Sequence, residues 1–449
     1  MVLRITLLLL CLNISLGYAV KLPPSATIAI SSANSVCQNA SGPTITFNGS
    51  NGTAPYTFTY TINGGTPQTI DSNAAGVATL AASTATSGPR TYTLVSVEDN
   101  TGTSTNVGNS VSFTVLPQPN TLITSEAESD IFNGFPTFRV CGNQPTEFVF
   151  YNSSATTATN TNYTINWGDG SPNFTGTSWS SQTHTYNVGL WTLTYTINSS
   201  NGCPITKIYK VFVGNNPAVG LENPGNTDIC IDQNLTFPIT GTENNPPGTS
   251  YIVTFNDGSA PLTFSHPPPP SVTHTFLNSS CGTSSSVAST TYQNSFYANI
   301  RAINPCDESS ATVVPIRIST APVADFTYPT GNLCVNTPIC FNNTSTGGQT
   351  ANSGGCPDPK IVWTVSPATG FTVSSGSLGS DNGSANYNAW ATGSSQLCLN
   401  FSIGGTYTIT MKIGTRCGVS TKVQTICVAA PLTPQFTLSN TSGCSPMSV

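Results

Sequence analysis

The sequence predicts an all-β protein built of tandem β-sandwich modules in a row, and three observations carry that expectation. Threonine-rich stretches alternate apolar and polar residues with a period of two, helix-forming residues are scarce, and proline-containing links recur at intervals of about 100 residues, the size of one sandwich. Charged residues make up 7% of the 449-residue chain, against about 25% in an ordinary globular protein. Disorder goes with high net charge and few aromatic residues, whereas here the net charge is -6 and aromatic residues reach 9%, so the chain folds. Thr, Ser, Asn, Gly and Pro abound while Leu, Lys and Glu are few, which disfavours helices and favours short strands joined by turns. The 12 lysines and arginines, spread along the chain, form no basic patch, so nucleic-acid binding lacks its electrostatic source.

At the N-terminus, Arg4 precedes an apolar run at 5–12 and the small-residue site Gly17-Tyr18-Ala19, the pattern of a signal peptide over 1–19 with a mature start near Val20. That run is shorter than the roughly 20 apolar residues a span requires, and no later segment reaches such a length. The mature chain is therefore expected to have no membrane span and to be secreted, to the cell outer surface or the extracellular space. Half-buried strands are expected where Tyr56, Phe58, Tyr60 and Ile62 alternate with threonines, and again at Trp191, Leu193, Tyr195 and Ile197 and at Tyr407, Ile409, Met411 and Ile413. Apolar strands end in links at 115–117, 213–217, 318–322 and 428–431, which sets modules at 22–116, 119–214, 217–320 and 323–430. Their size and strand pattern suit an immunoglobulin-like sandwich. Phe436-Thr437 precedes Cys444 at the spacing by which Phe326-Thr327 precedes Cys334, so 433–449 is expected to start a further, truncated module. Links this short are no floppy tethers, and neighbouring modules are expected to touch and form a semi-rigid stalk.

In the second module Trp167-Gly168-Asp169-Gly170 is followed by His184-Thr185-Tyr186, by Gly189 and by the alternating strand that leads to Cys203. Asp-Gly supplies a tight turn, Trp167 a large face to bury, and His184 and Tyr186 polar groups that tie down neighbouring loops. This constellation resembles the polycystic kidney disease (PKD) domain family, whose hallmark is that turn followed by His-Thr-Tyr and a Gly-aromatic strand. The third module is a worn copy, with Phe255-Asn256-Asp257-Gly258 and His274-Thr275-Phe276 at the matching places. The fourth keeps Trp363 and the strand ending at Cys417 but lacks the Asp-Gly turn. The first, with Cys37-Gln38-Asn39 and a threonine-rich hairpin around Gly64-Gly65, looks like a related immunoglobulin-like repeat. Such mixtures resemble the long surface proteins of the Bacteroidota, gliding-motility adhesins among them. The resemblance implies PKD-type sandwiches, export by type IX secretion and a role in adhesion.

All but Cys11 of the 14 cysteines lie beyond the signal segment, where an exported chain can oxidise them. With no CxxC pair and 3 histidines, a structural zinc site is not expected. One cysteine stands early in each module, and in the last three another follows the long hairpin strand. Bridges within modules are therefore expected: Cys141 with Cys203, Cys230 with Cys306, and Cys334 with Cys417. Cys340 and Cys398 flank the inward-pointing Phe341, Leu397 and Leu399, which suits a pair on the outer face. Cys356 and Cys427 are then left to each other. Cys37 has no companion in its module, where Thr103 follows Gly102 at the place a cysteine would be expected, and Cys281 is also left without one. Spacing alone allows other connectivities.

A calcium site built from Asp169 with Glu126, Glu128 and Asp130 would need six to eight oxygens. These residues belong to separate segments and are read as a solvated turn and linker, so neither metal nor cofactor is expected. His184 and His274 recur at matching positions, as structural hydrogen-bonding groups do and active sites rarely do. The G-x-S-x-G, H-E-x-x-H and Walker signatures are missing, and no enzymatic activity is expected. The expected function is that of a secreted cell-surface structural and adhesion protein, a stalk with weak contacts to surface polysaccharide or protein ligands. The alternative is an accessory spacer of an exported hydrolase whose catalytic domain lies beyond residue 449.

Overall fold

The computed structural model describes residues 22–31, 34–432 and 434–437; the expected signal peptide and residues 438–449 of the expected truncated module lie outside the described residues. The chain forms two compact units, one of residues up to 138 with 147–186 and 191–211, the other of residues 139–146, 187–190 and 212 onward. Apart from a 3-10 turn at Tyr387–Ala389, the regular elements among the described residues are strands, and no helix there is long and apolar enough to cross a membrane. The protein is all-β, a series of immunoglobulin-like modules each made of facing sheets.

In the first unit, Ser25–Ile30, Thr44–Ser50 and Val77–Ala81 form one sheet in that order. Its partner is the five-stranded sheet Ser35–Cys37, Ser104–Leu116, Gly88–Asp99, Tyr56–Ile62 and Gln68–Asp71. Alternation drives the packing: Tyr56, Phe58 and Tyr60 are buried while the threonines between them are half-exposed. Phe58 stacks on Phe47 of the other sheet with ring centroids 5.6 Å apart. Burying each such side chain contributes roughly 2–3 kcal/mol. After Ile62 the chain turns through Asn63 and Gly64, both at positive φ (50° and 68°), and the Gly65 N–H donates to the Ile62 carbonyl at 3.0 Å, a backbone that Asn-Gly favours.

The next module has a three-stranded sheet, Ser181–Tyr186, Thr146–Asn152 and Ile123–Ser125. Its six-stranded sheet runs Glu128–Phe132, Phe135–Cys141, Ile205–Gly214, Gly189–Ser199, Asn160–Asn166 and Phe174–Gly176. Residues 139–141, 189–190 and 212–214 of that sheet are counted with the second unit.

Within the second unit, Gly220–Leu221, Asn234–Thr240 and Ser271–Thr275 form one sheet, and Asp228–Cys230, Glu308–Ser319, Phe296–Ile303, Ser250–Phe255 and Leu262–Ser265 form another. Phe237, Tyr251, Phe255, Phe276 and Ile300 fill the space between them. Two four-stranded sheets follow, Phe326–Thr327, Pro338–Asn343, Gln396–Phe401 and Phe371–Ser375, and Leu333–Cys334, Gly418–Ala429, Gly405–Thr415 and Lys360–Ser366. Trp363, Phe341, Leu397 and Met411 lie in their shared core.

In three modules the short strand that carries the early cysteine runs parallel to the module's last strand, placing Cys37 opposite Leu116, Cys230 opposite Ser319 and Cys334 opposite Ala429. The residue after each cysteine donates its N–H to that same carbonyl: Gln38 to Leu116 at 2.8 Å, Ile231 to Ser319 at 3.0 Å and Val335 to Ala429 at 3.1 Å. Gly142 donates likewise to Gly214 at 3.0 Å in the remaining module. Each of these carbonyls ends a last strand, so every early cysteine sits where the chain leaves its module.

Candidate functional site

Two constellations recur along the chain. The first is a carboxylate–imidazole lock. Gly168 lies at φ +81°, and a Cβ there would stand 2.0 Å from the Thr192 carbonyl oxygen, so only glycine fits this turn. The turn brings Asp169 Oδ2 within 2.7 Å of His184 Nε2. Ser171 donates to Asp169 Oδ1 from Oγ at 2.5 Å and from its N–H at 3.0 Å. The His184 ring lies flat on Trp167, with centroids 4.4 Å apart, and edge-on to Tyr186, whose hydroxyl donates to the Trp167 carbonyl at 3.0 Å.

The third module repeats the arrangement. Asp257 Oδ2 is 2.6 Å from His274 Nε2, Ser259 donates to Oδ1 from Oγ at 2.6 Å and from N–H at 3.0 Å, and His274 stacks on Phe255 at 3.8 Å. Gly170 and Gly258, after each aspartate, are both at positive φ. Burial pushes the Asp169 carboxyl upward, but hydrogen bonds from Ser171 and His184 outweigh it and hold the group at about 2. Asp257 is likewise lowered, the bonds from Ser259 and His274 overcoming burial.

Ser, His and Asp meet here without forming the relay of a hydrolase. The Ser171 hydroxyl donates its hydrogen bond to the carboxylate, and serine and aspartate both face the same imidazole nitrogen, the serine at 3.4 Å. What the geometry does is tie a turn to the strand Ser181–Tyr186. Glu126, one of the three acidic residues weighed with Asp169 for calcium, accepts from the Tyr151 hydroxyl at 2.5 Å.

The second constellation is a cysteine staple. Cys37 is bonded to Cys203, Cys141 to Cys306 and Cys230 to Cys417, with Cα–Cα separations of 5.5, 5.8 and 5.7 Å. Each bond joins the early cysteine of one module to the late cysteine of the next. Cys281–Cys356 adds a second tie between the third and fourth modules. Cys340–Cys398 lies inside the fourth, between directly opposed strand positions, as its apolar flanks led us to expect.

A polar residue two positions ahead presents each late cysteine. Asn201 Oδ1, Asn304 Oδ1 and Thr415 Oγ1 accept the N–H of Cys203, Cys306 and Cys417 at 3.0, 2.9 and 3.2 Å. The two asparagines also reach back to the link, Asn201 Nδ2 donating to the Pro117 carbonyl at 2.8 Å and Asn304 Nδ2 to that of Asn215 at 3.0 Å. Threonine has no amide for this, and Arg416 acts instead, its Nη2 donating to the carbonyls of Ile229 at 3.1 Å and Arg317 at 3.3 Å. Sequence reading missed all four of these residues. The available signal was Asn-x-Cys at the last hairpin of two successive modules.

The staples overturn the pairings expected within modules. Cys141–Cys203, Cys230–Cys306 and Cys334–Cys417 are not formed, Cys356 is bonded to Cys281 rather than to Cys427, and Cys37 and Cys281 do have companions. Among the described residues, Cys334 and Cys427 are free and exposed. The place of the early cysteine is the reason. An early cysteine lies beside the end of the last strand, whereas the late cysteine precedes its beginning. Ile205–Gly214, with 10 residues, spans roughly 33 Å, and no disulfide crosses more than about 7 Å between Cα atoms.

No protein-family model matches the chain, and no curated protein sequence does. Among solved structures the chain is similar to a Ca2+-stabilized adhesin that helps an Antarctic bacterium reach out and bind ice, at 10% identity, over 91% of this chain and 99% of that one, with a TM-score of 0.24. It is similar to the N-terminal eight Ig domains of Down Syndrome Cell Adhesion Molecule, at 10% identity over 90% of this chain and 50% of that one, with a TM-score of 0.24. Domains 1-6 of the surface layer protein SbsC match at 14% identity over 92% of this chain and 55% of that one, with a TM-score of 0.22. At such low overlap none of these likenesses bears on what this chain does.

Proposed function

We propose that the chain is a secreted, cell-surface structural and adhesion protein that carries tension, and that it is not an enzyme. The interleaving of the staples carries this reading. Cys141 lies inside the loop closed by Cys37 and Cys203, and Cys230 inside the loop closed by Cys141 and Cys306. Tension between Cys37 and Cys417 passes through the first bond to Cys203, along the backbone to Cys230, and through the third bond. Even with all folded structure lost, that path reaches only on the order of 100 Å, against on the order of 1,300 Å for the unbridged chain. Catalysis gains nothing from such a limit, while a stalk under load does.

The five bridges among the described residues suit an oxidising exterior. The finer resemblance belongs to the same reading: PKD-type modules, export by type IX secretion as in Bacteroidota adhesins, and weak contacts with surface polysaccharide or protein ligands. Single-molecule pulling on tags at the ends of 22–437 tests the proposal. Oxidised chains should stop lengthening between Cys37 and Cys417 at on the order of 100 Å, and reduced chains should lengthen by whole modules. Equal lengthening in the two states would overturn it.

A further inference from the structure

We infer that Cys334 is the leading half of a fourth staple, and that its partner is a cysteine on the last hairpin of a further sandwich module that follows Ala430. Place, and not the thiol alone, carries the inference. Cys334 stands opposite Ala429 in a parallel pair, as Cys37 stands opposite Leu116 and Cys230 opposite Ser319. The N–H of the next residue closes on the same carbonyl in every case, Val335 on Ala429 as Gln38 on Leu116, Gly142 on Gly214 and Ile231 on Ser319. All three counterparts, Cys37, Cys141 and Cys230, are bonded to the hairpin of the following module. A position filled three times by the same bond points to the same bond the fourth time.

Its own module offers no substitute. Cys417 lies at the far end of Gly418–Ala429 and is already bonded to Cys230, and Cys340 and Cys398 are bonded to each other. Cys427 is free and exposed, but the matching positions of the other modules hold Thr114, Phe212 and Arg317, so it does not belong to the series. The existing staples span 166, 165 and 187 residues, a step that from Cys334 passes Val449. The sequence opens such a module where Phe436-Thr437 and Cys444 repeat the spacing of Phe326-Thr327 and Cys334.

In forming the bond, each thiol loses its proton and the pair gives up two electrons. The electrons pass to a disulfide oxidant, a protein or small-molecule disulfide that is itself reduced to two thiols. This inference stands whether or not the protein is an adhesin.

Non-reducing peptide mapping of the polypeptide isolated from the cells that make it tests the partner. The Cys334 peptide should be joined to a cysteine outside residues 1–449. A free Cys334 thiol there, or a bond to Cys427 or any other cysteine of 22–437, overturns the inference. A second measurement tests the geometry. Replacing 433–449 by a second copy of 323–430 supplies a new last hairpin, and maleimide labelling of the first copy's Cys334 should fall at least tenfold relative to the 449-residue chain. Cys417→Ser in the second copy alone should restore labelling. Unchanged labelling in the extended chain overturns the inference.

Discussion

In the third module the strands Asn234–Thr240 and Ser271–Thr275 set Leu235 opposite His274, Thr236 opposite Thr273 and Phe237 opposite Val272. In the fourth, Pro338–Asn343 and Gln396–Phe401 set Ile339 opposite Leu399, Cys340 opposite Cys398 and Phe341 opposite Leu397. Matched by position, His274 of one module is Leu399 of the other on the inner side. On the outer side a pair of threonine hydroxyls 2.9 Å apart gives way to a disulfide. The third module anchors this strand pair to its turn through Asp257 and His274, and the fourth, without an Asp-Gly turn, closes the pair covalently. The same strand pair is held by a carboxylate–imidazole contact in one module and by a disulfide in the other. Sensitivity to the surroundings is what changes, because an ionised carboxylate fails in acid and a disulfide fails under reduction.

The largest effect expected from that contrast is in the fourth module. Replacing Cys340 and Cys398 by serine releases a loop of sequence separation 58, for which chain entropy gives about 4 kcal/mol of lost stability. Denaturant unfolding followed by hydrogen exchange at 396–401 measures it, and a loss below about 1 kcal/mol would break the comparison. Next comes acid sensitivity of the lock, which is best read in the second module. The folded Asp169 carboxyl, at about 2, lies below its ordinary value of 3.8. A depressed folded value means that the stabilisation is complete above the unfolded value and is lost as pH falls through the folded one, so the window runs from about 4 down to about 2. Asp169→Asn should remove at most about 2 kcal/mol at neutral pH and flatten that part of the acid transition. An acid slope as steep in the variant as in the parent contradicts the lock. Smallest is the outer threonine pair, for which Thr236→Val with Thr273→Val should cost less than about 1 kcal/mol. Thr236→Cys with Thr273→Cys should instead form a bridge like that of the fourth module, detectable as thiols protected until reduction.

Much of this was legible in the residues. Alternation marks 56–62, 191–197 and 407–413 as half-buried strands, and in the structure they lie in the strands Tyr56–Ile62, Gly189–Ser199 and Gly405–Thr415, each with one face in a core. His184 and His274 stand out by recurring at matching positions, and each bonds an aspartate of the Asp-Gly turn; Asp169, read as part of a solvated turn, is instead part-buried against His184. Ser171 and Ser259 were overlooked, although each follows the Asp-Gly pair directly. Cys340 and Cys398 were legible because period two tells which neighbours point inward. The other bridges were not, for a physical reason. Alternation says which face a residue takes, but it is silent on whether two strands run parallel or antiparallel. The parallel pairing of Ser35–Cys37 with Ser104–Leu116, and of Asp228–Cys230 with Glu308–Ser319, moves the early cysteine from one end of its module to the other. Only that choice of direction separates a bond within a module from a bond to the next.

Non-reducing peptide mapping of residues 22–437, by protease digestion and mass spectrometry, tests the central claim most directly. The account predicts Cys37 joined to Cys203, Cys141 to Cys306 and Cys230 to Cys417. Recovery of Cys141 joined to Cys203 and Cys230 joined to Cys306, or of these cysteines as free thiols, would contradict it.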